Sequence, residues 1–324
     1  MPANLPPQYF EAEKNFRAAK TPAEKIAALE EMLAIMPKHK GTDHLRAELR
    51  SRIAKLTQQA AKKSGAQRAS MLIEKEGAAQ VAVIGLPNAG KSQLVASVTN
   101  ASPTVADYPF TTYTAIPGMM EFENIQIQLL DTPPLVPQAM EWWLPHMLRR
   151  ADALLIMVDL SDSPLAQMES ILEQLGKMRI GIGVDKVEEE MILSRKKALI
   201  VGNKLDLAGA QENYATLEQK YGEHLPMLAI SARNKIGLEE LKLKIYQVLD
   251  IVRVYTKAPG QKPDFTEPII LERGSTLADA AEAVHKDFRA KLKYARLWGS
   301  GKHDGIMVKR DHILQDGDII ELHM

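Results

Sequence analysis

Gly85-Leu86-Pro87-Asn88-Ala89-Gly90-Lys91-Ser92 follows the apolar run Val81-Ala82-Val83-Ile84 and opens a helical stretch beginning Gln93-Leu94-Val95. The eight residues fit G-x-x-x-x-G-K-[ST] in the strand–loop–helix context that the pattern needs. Its glycines let backbone N–H groups turn inward around an anion, and the start of the following helix adds positive potential. In such a loop Lys91 reaches the β- and γ-phosphates of a nucleotide, and the Ser92 hydroxyl ligates Mg²⁺. The candidate phosphate-binding residues are therefore Gly85, Pro87, Asn88, Ala89, Gly90, Lys91, Ser92 and Gln93. The competing reading, a chance Gly-rich turn, is disfavoured by that flanking context.

Downstream, short β-rich runs alternate with helical stretches at 125–130, 153–158, 198–201 and 227–230. This alternation predicts an α/β domain with a mainly parallel sheet and helices on both faces. Ligands of such sheets lie beyond the carboxyl ends of the strands. Upstream, Ile26, Leu29, Leu33 and Ile35 recur at helical spacing, and Leu45, Leu49, Ile53 and Leu56 repeat it after a break at 37–41. This reads as an N-terminal helical hairpin, entered through the capping sequence Thr21-Pro22-Ala23-Glu24. Beyond the turn-rich 257–263, a β-helix-β-β order closing on Asp316-Gly317-Asp318 and a last strand predicts a small C-terminal α+β module. The expected domains are 1–75, 76–254 and 255–324.

Lys+Arg and Asp+Glu both total 41 in 324 residues, so any nucleic-acid or membrane partner must be met by a local patch. Cysteine is absent, which excludes disulfides, thiolate metal sites and cysteine nucleophiles. The first ten residues lack the basic start and apolar run of a signal peptide, and no uninterrupted apolar run approaches 18 residues. The expectation is a soluble cytoplasmic protein with no membrane partner.

Asn203-Lys204-Leu205-Asp206 identifies the base. A carboxylate accepts two hydrogen bonds side by side, matching the N1–H and exocyclic amino donors of guanine. Adenine would leave Asp206 unpaired, at a cost of about 1–3 kcal/mol. The Lys204 stem lies over the ring in this reading, and Ser231-Ala232-Arg233 after the next strand aims a backbone N–H at the guanine oxygen. Asp131 in Asp131-Thr132-Pro133-Pro134 is placed to hold Mg²⁺ through water. Between it and the phosphate loop, Thr111 and Thr112 both offer a hydroxyl that completes the metal shell when a γ-phosphate is present; Thr112 is the preferred candidate. Lys91, Thr112 and Asp131 form the candidate catalytic set, and Ser92, Thr112 and Asp131 the candidate metal set.

These motifs resemble the Obg-like GTPases of the TRAFAC class, and most closely the developmentally regulated GTP-binding (DRG) branch. Ala106-Asp107-Tyr108-Pro109-Phe110-Thr111-Thr112 is similar to the first switch of that group, and Ile127-Gln128-Leu129-Leu130-Asp131 to the run into its second. Val254-Tyr255-Thr256-Lys257, Gly260-Gln261, Trp298-Gly299-Ser300, Lys302-His303 and Asp311-His312 resemble its C-terminal TGS module, a ubiquitin-like β-grasp. The resemblance covers 76–324 well and the N-terminal helices loosely. It implies binding of GTP and GDP, slow GTP hydrolysis with Mg²⁺, and association with ribosomes or RNA; a regulatory protein partner is a further candidate.

The chain departs from that pattern in two places. The family places a glycine where Pro134 stands, and that glycine donates its N–H to the γ-phosphate. Proline has none. Leu135 occupies the position of the water-orienting glutamine of many GTPases and cannot polarise water. The DRG insertion is also short here, over about 179–197. The alternative is therefore a nucleotide-gated binding module with little or no hydrolysis. An ATPase of the related Obg-like branch is a third reading, against which the intact Asp206 argues.

Weaker signals remain. Asn88 matches the loop asparagine that helps hold K⁺ in potassium-stimulated P-loop GTPases, or it simply tolerates the loop backbone. Lys40, Arg46, Arg50, Arg52, Lys55, Lys62, Lys63 and Arg68 make a basic stretch suited to RNA phosphates or to a solvated helix face. Trp142-Trp143 reads as packing of a helix after the second switch.

Overall fold

The computed structural model describes residues 9, 13–14, 16, 22–36, 49, 52, 73–99, 115–137, 141, 143–184, 191–301 and 303–323. Thr112 with the rest of 106–112, Trp142, and all of the basic stretch except Arg52 lie outside them. Two compact units divide at Leu72/Ile73. In the first, α1 (Pro22–Ile35) starts at the proline, which has no N–H to leave unpaired there. Leu29, Met32 and Met36 bury against Tyr9 and Leu49. Of the second helix expected at 45–56, only Leu49 and Arg52 are described.

The second unit contains two large sheets. The first has the order β2-β3-β1-β4-β7-β8: β1 (Ala79–Gly85), β2 (Ile116–Phe122), β3 (Ile125–Asp131), β4 (Ala153–Asp159), β7 (Lys197–Asn203) and β8 (Met227–Ala229). β1 is buried along its whole length, as expected of a parallel strand covered on both faces. α2 (Lys91–Val98), α3 (Leu144–Arg150), α4 (Pro164–Lys177), α5 (Ala210–Tyr221) and α6 (Leu238–Leu249) complete the layers. Leu94, Val95, Ile127, Leu155, Val201, Leu241 and Ile245 share one core with the sheet. β5 (Ile180–Gly181) and β6 (Ser194–Arg195) form a separate short pair.

β2 was not expected from the sequence. It runs antiparallel to β3 through a tight turn at Glu123 and Asn124, with Glu123 at φ 50°. Its Pro117 and Gly118 obscure a strand signal that pairing at the sheet edge tolerates. The remaining contacts in the sheet are parallel, so the carboxyl ends of five strands open on one edge.

The second sheet has the order β10-β9-β13-β11-β12, from β9 (Ile251–Thr256), β10 (Asp264–Glu272), β11 (Tyr294–Trp298), β12 (Ile306–Val308) and β13 (Asp318–His323). β13 lies parallel to β9 while the other pairs are antiparallel, the arrangement of a β-grasp. α7 (Leu277–Val284) packs Leu277, Ala280 and Ala281 against Val252, Val254, Leu297 and Ile320. Thr276 and Asp279 form its capping box. The sequence predicts one helix to about residue 288; instead His285 turns extended and caps a second helix, α8 (Lys286–Lys291). Among the described residues no helix is long and apolar enough to cross a membrane.

The two sheets are joined through Arg253. Its guanidinium meets Asp316 through Nε (3.1 Å) and Nη2 (2.8 Å). It also reaches Glu123 and Asn124 at the β2–β3 turn and sits over the Tyr246 ring. Tyr246 in turn stacks on Phe122 and donates to Asp316 at 2.8 Å. Asn124 Nδ2 donates to Tyr255 Oη (2.8 Å) and to the Phe265 carbonyl (3.0 Å). Because Arg253 is only 12% exposed, its loss strands partners that are partly out of water. Arg253→Ala is expected to lower stability by about 2 kcal/mol in urea unfolding. Arg289→Ala, which removes a solvated pair with Glu282, should leave the midpoint unchanged.

Candidate functional site

The phosphate loop joins the end of β1 to α2. Gly90 stands at φ 94°, and a Cβ there would sit 2.2 Å from Asn203 Nδ2, so both backbone and space demand glycine. Asn88 is also left-handed, at φ 62°, a conformation asparagine accepts more readily than most side chains. Pro87, Asn88, Ser92 and Gln93 are exposed at the rim, whereas Ala89 is buried. The first turn of α2 carries no acidic residue, leaving its positive end uncompensated. Lys91 is buried, and its ammonium donates to the carbonyls of Gly85 (3.2 Å) and Leu86 (3.0 Å).

Asp131 ends β3 beside this loop. Burial pushes its carboxyl above the ordinary range, against the hydrogen bond from Ser92 and the charge of Lys91. Burial lowers the Lys91 ammonium, opposed by Asp131. Asp131 Oδ1 is buried without a hydrogen-bond partner among the described residues. Hard oxygens from Ser92 and Asp131, one of them orphaned, suit Mg²⁺ or a water on it. Thr112, the third candidate ligand, is outside the described residues.

The start of the second switch is stitched to β1. Thr132 Oγ1 donates to the Val83 carbonyl at 2.8 Å, and the Leu135 N–H to the Gly85 carbonyl at 3.1 Å. Leu135 is fully buried. Pro134 has no N–H to offer, and the Leu135 N–H is already engaged. Gly85 O thus accepts from both Lys91 and Leu135.

The base motifs converge through Asn203. Its Nδ2 donates to the Ala89 carbonyl (2.9 Å), and its Oδ1 accepts from the Ala232 N–H (3.0 Å). The Ala232 N–H is therefore committed within the protein. Ser231 Oγ donates to Asp206 Oδ1 and accepts from the Asn234 N–H, which orients the carboxylate. Arg233 is exposed beside them. Lys204 lies at φ 67°, and its ammonium pairs with Asp159, the last residue of β4. The sequence reading missed Asp159, although an acidic residue ending a strand on the ligand-bearing edge was a usable signal.

Comparison with known proteins agrees with this geometry. Residues 80–204 match the family described as 50S ribosome-binding GTPase, and residues 252–324 match the TGS domain family. A GTP-binding protein of Methanocaldococcus jannaschii is 33% identical over 92% of each chain. GTP-binding protein 1 of Schizosaccharomyces pombe is 29% identical, over 92% of this chain and 98% of its own. Developmentally-regulated GTP-binding protein 2 of Homo sapiens is 27% identical over the same shares. The solved structure of the Schizosaccharomyces pombe YchF GTPase shares the fold, with a TM-score of 0.52 at 12% identity over 77% of this chain and 99% of that one.

The orphaned, buried carboxylate oxygen sets function against stability at one residue. A carboxyl whose pKa is raised by folding works against the fold once ionised. Nucleotide-free Asp131→Asn is therefore expected to show a higher urea midpoint than the parent at pH 8. The same variant should lose about tenfold or more of its Mg²⁺-dependent nucleotide affinity, read by fluorescent GDP titration with and without the metal.

Proposed function

The chain belongs to the Obg-like P-loop GTPases that carry a C-terminal TGS domain, and from that premise we propose that it is a slow, Mg²⁺-dependent GTPase acting as a ribosome- or RNA-associated regulator in the cytoplasm. The observation that carries the nucleotide reading is the Asn203 carboxamide, which holds the phosphate loop and the base loop in one frame. Within that frame Asp206 selects guanine, and Gly85, Pro87, Asn88, Ala89, Gly90, Lys91, Ser92 and Gln93 face the phosphates. Ser92, Asp131 and Thr112 would hold Mg²⁺. The helical region 1–75, the nucleotide-binding region 76–254 and the module 255–324 divide the work, with β9 crossing the last boundary.

Hydrolysis of the γ-phosphoryl group needs positioning and charge rather than covalent chemistry. Lys91 exchanges its hold on Gly85 and Leu86 for phosphate oxygens and stabilises charge on the transferred group. Mg²⁺ held by Ser92, Asp131 and Thr112 would supply positive charge to the phosphates when bound. The Pro134–Leu135 pair supplies neither an N–H for the γ-phosphate nor a group to orient water. This favours slow turnover and weak sensing of GTP by the second switch. Asn88, at the mouth of the loop, is the residue through which K⁺ would assist.

Purified protein under single-turnover conditions is expected to hydrolyse GTP at roughly 10⁻⁴ to 10⁻² s⁻¹, faster in K⁺ than in Na⁺. Tens of turnovers per second would overturn the slow-GTPase reading, and no hydrolysis at all would favour the nucleotide-gated module. Equal rates in the two salts would remove the role of K⁺. Ribosome co-sedimentation should be stronger with a non-hydrolysable GTP analogue than with GDP; absence from the ribosomal pellet in both states counts against the partner reading.

A further inference from the structure

Lys204 has a backbone fixed in the left-handed region but a side chain with four rotatable bonds, so its own geometry leaves the position of its stem over the base undetermined. What determines it is Asp159. This carboxylate ends β4 directly beside Asn203 in the sheet register, and it is held from several sides. Ser161 donates to its Oδ1 from the backbone N–H (2.9 Å) and from the hydroxyl (2.6 Å). Its own N–H donates to Gln167 Oε1, and its carbonyl accepts from Gln167 Nε2, both at 3.0 Å. The next residue, Leu160, donates to the Asn203 carbonyl at 3.0 Å, and its carbonyl accepts from Asn213 at 2.7 Å. The Lys204 ammonium pairs with the remaining oxygen, Oδ2.

We propose that Asp159 is a positioning residue for the guanine base: it anchors the Lys204 ammonium so that the apolar stem forms a ready-made wall of the base site. The proposal rests on the guanine-nucleotide reading of Asp206. An immobile carboxylate ordering a long cation before ligand arrives spares that ordering at the moment of binding, which is a gain in affinity without a contact to the ligand. Lys204 acts on the base and ribose side, far from the γ-phosphate, so GDP and GTP should benefit equally.

The test is titration of fluorescent GDP and GTP analogues into the full-length chain, with hydrolysis followed at saturating GTP. Asp159→Asn is expected to raise Kd about tenfold for both nucleotides while kcat stays unchanged, and Asp159→Glu to restore most of the loss. In a Lys204→Gln background the Asp159→Asn change should add less than about twofold, because the two residues act as one unit. An unchanged Kd for Asp159→Asn, a full tenfold loss persisting in the Lys204→Gln background, or a fall in kcat at constant Kd would each overturn the positioning role. Preference of the parent protein for ATP over GTP would instead overturn the guanine reading beneath it.

Discussion

The Asn203 carboxamide joins two loops far apart in the chain, and Asn203 itself stands 114 residues from Ala89, the residue it holds in the first. It is buried, so each of its hydrogen bonds is made in a medium where losing one is costly. One end holds the carbonyl of Ala89 in the phosphate loop, and the other holds the N–H of Ala232 in the loop after β8. A single amide thus holds the two loops in one frame. Gly90 follows from the same constraint, because any side chain there would collide with the amide.

A second set of interactions buries charge at the same edge of the sheet. Lys91 and Asp131 are both buried enough that each is pushed toward its neutral form, and each opposes the shift in the other. Leu135 shares the Gly85 carbonyl with Lys91. The segment after Pro134 is held to that carbonyl by its own Leu135 N–H, beside the lysine.

The β2–β3 hairpin connects this edge to the C-terminal module. Asp131 closes one of its strands, and Arg253, Tyr255 and Phe265 grip its turn. The second sheet therefore grips the turn of the same strand pair whose far end carries Asp131. Arg253 is suited to this because its planar fork serves Asp316 and the hairpin turn at once.

The sequence alone determined the phosphate cradle, the guanine motif, the mainly parallel sheet and a small α+β module after it, which only the resemblance to the DRG branch identified as a β-grasp. Those features depend on local rules: glycine where the backbone must turn left, apolar runs where strands are covered on both sides, and a carboxylate at fixed spacing after a strand. It also exposed Pro134, because a missing N–H is legible in one letter. Only the tertiary structure decided that Leu135 is locked to Gly85, that the Ala232 N–H belongs to Asn203, that Asp159 fixes Lys204, and that Arg253 grips a strand pair unforeseen at β2. Each of these is a contact between residues distant in the chain. Which donor meets which acceptor there is set by how strand ends align across the sheet, a relation that no local spacing encodes.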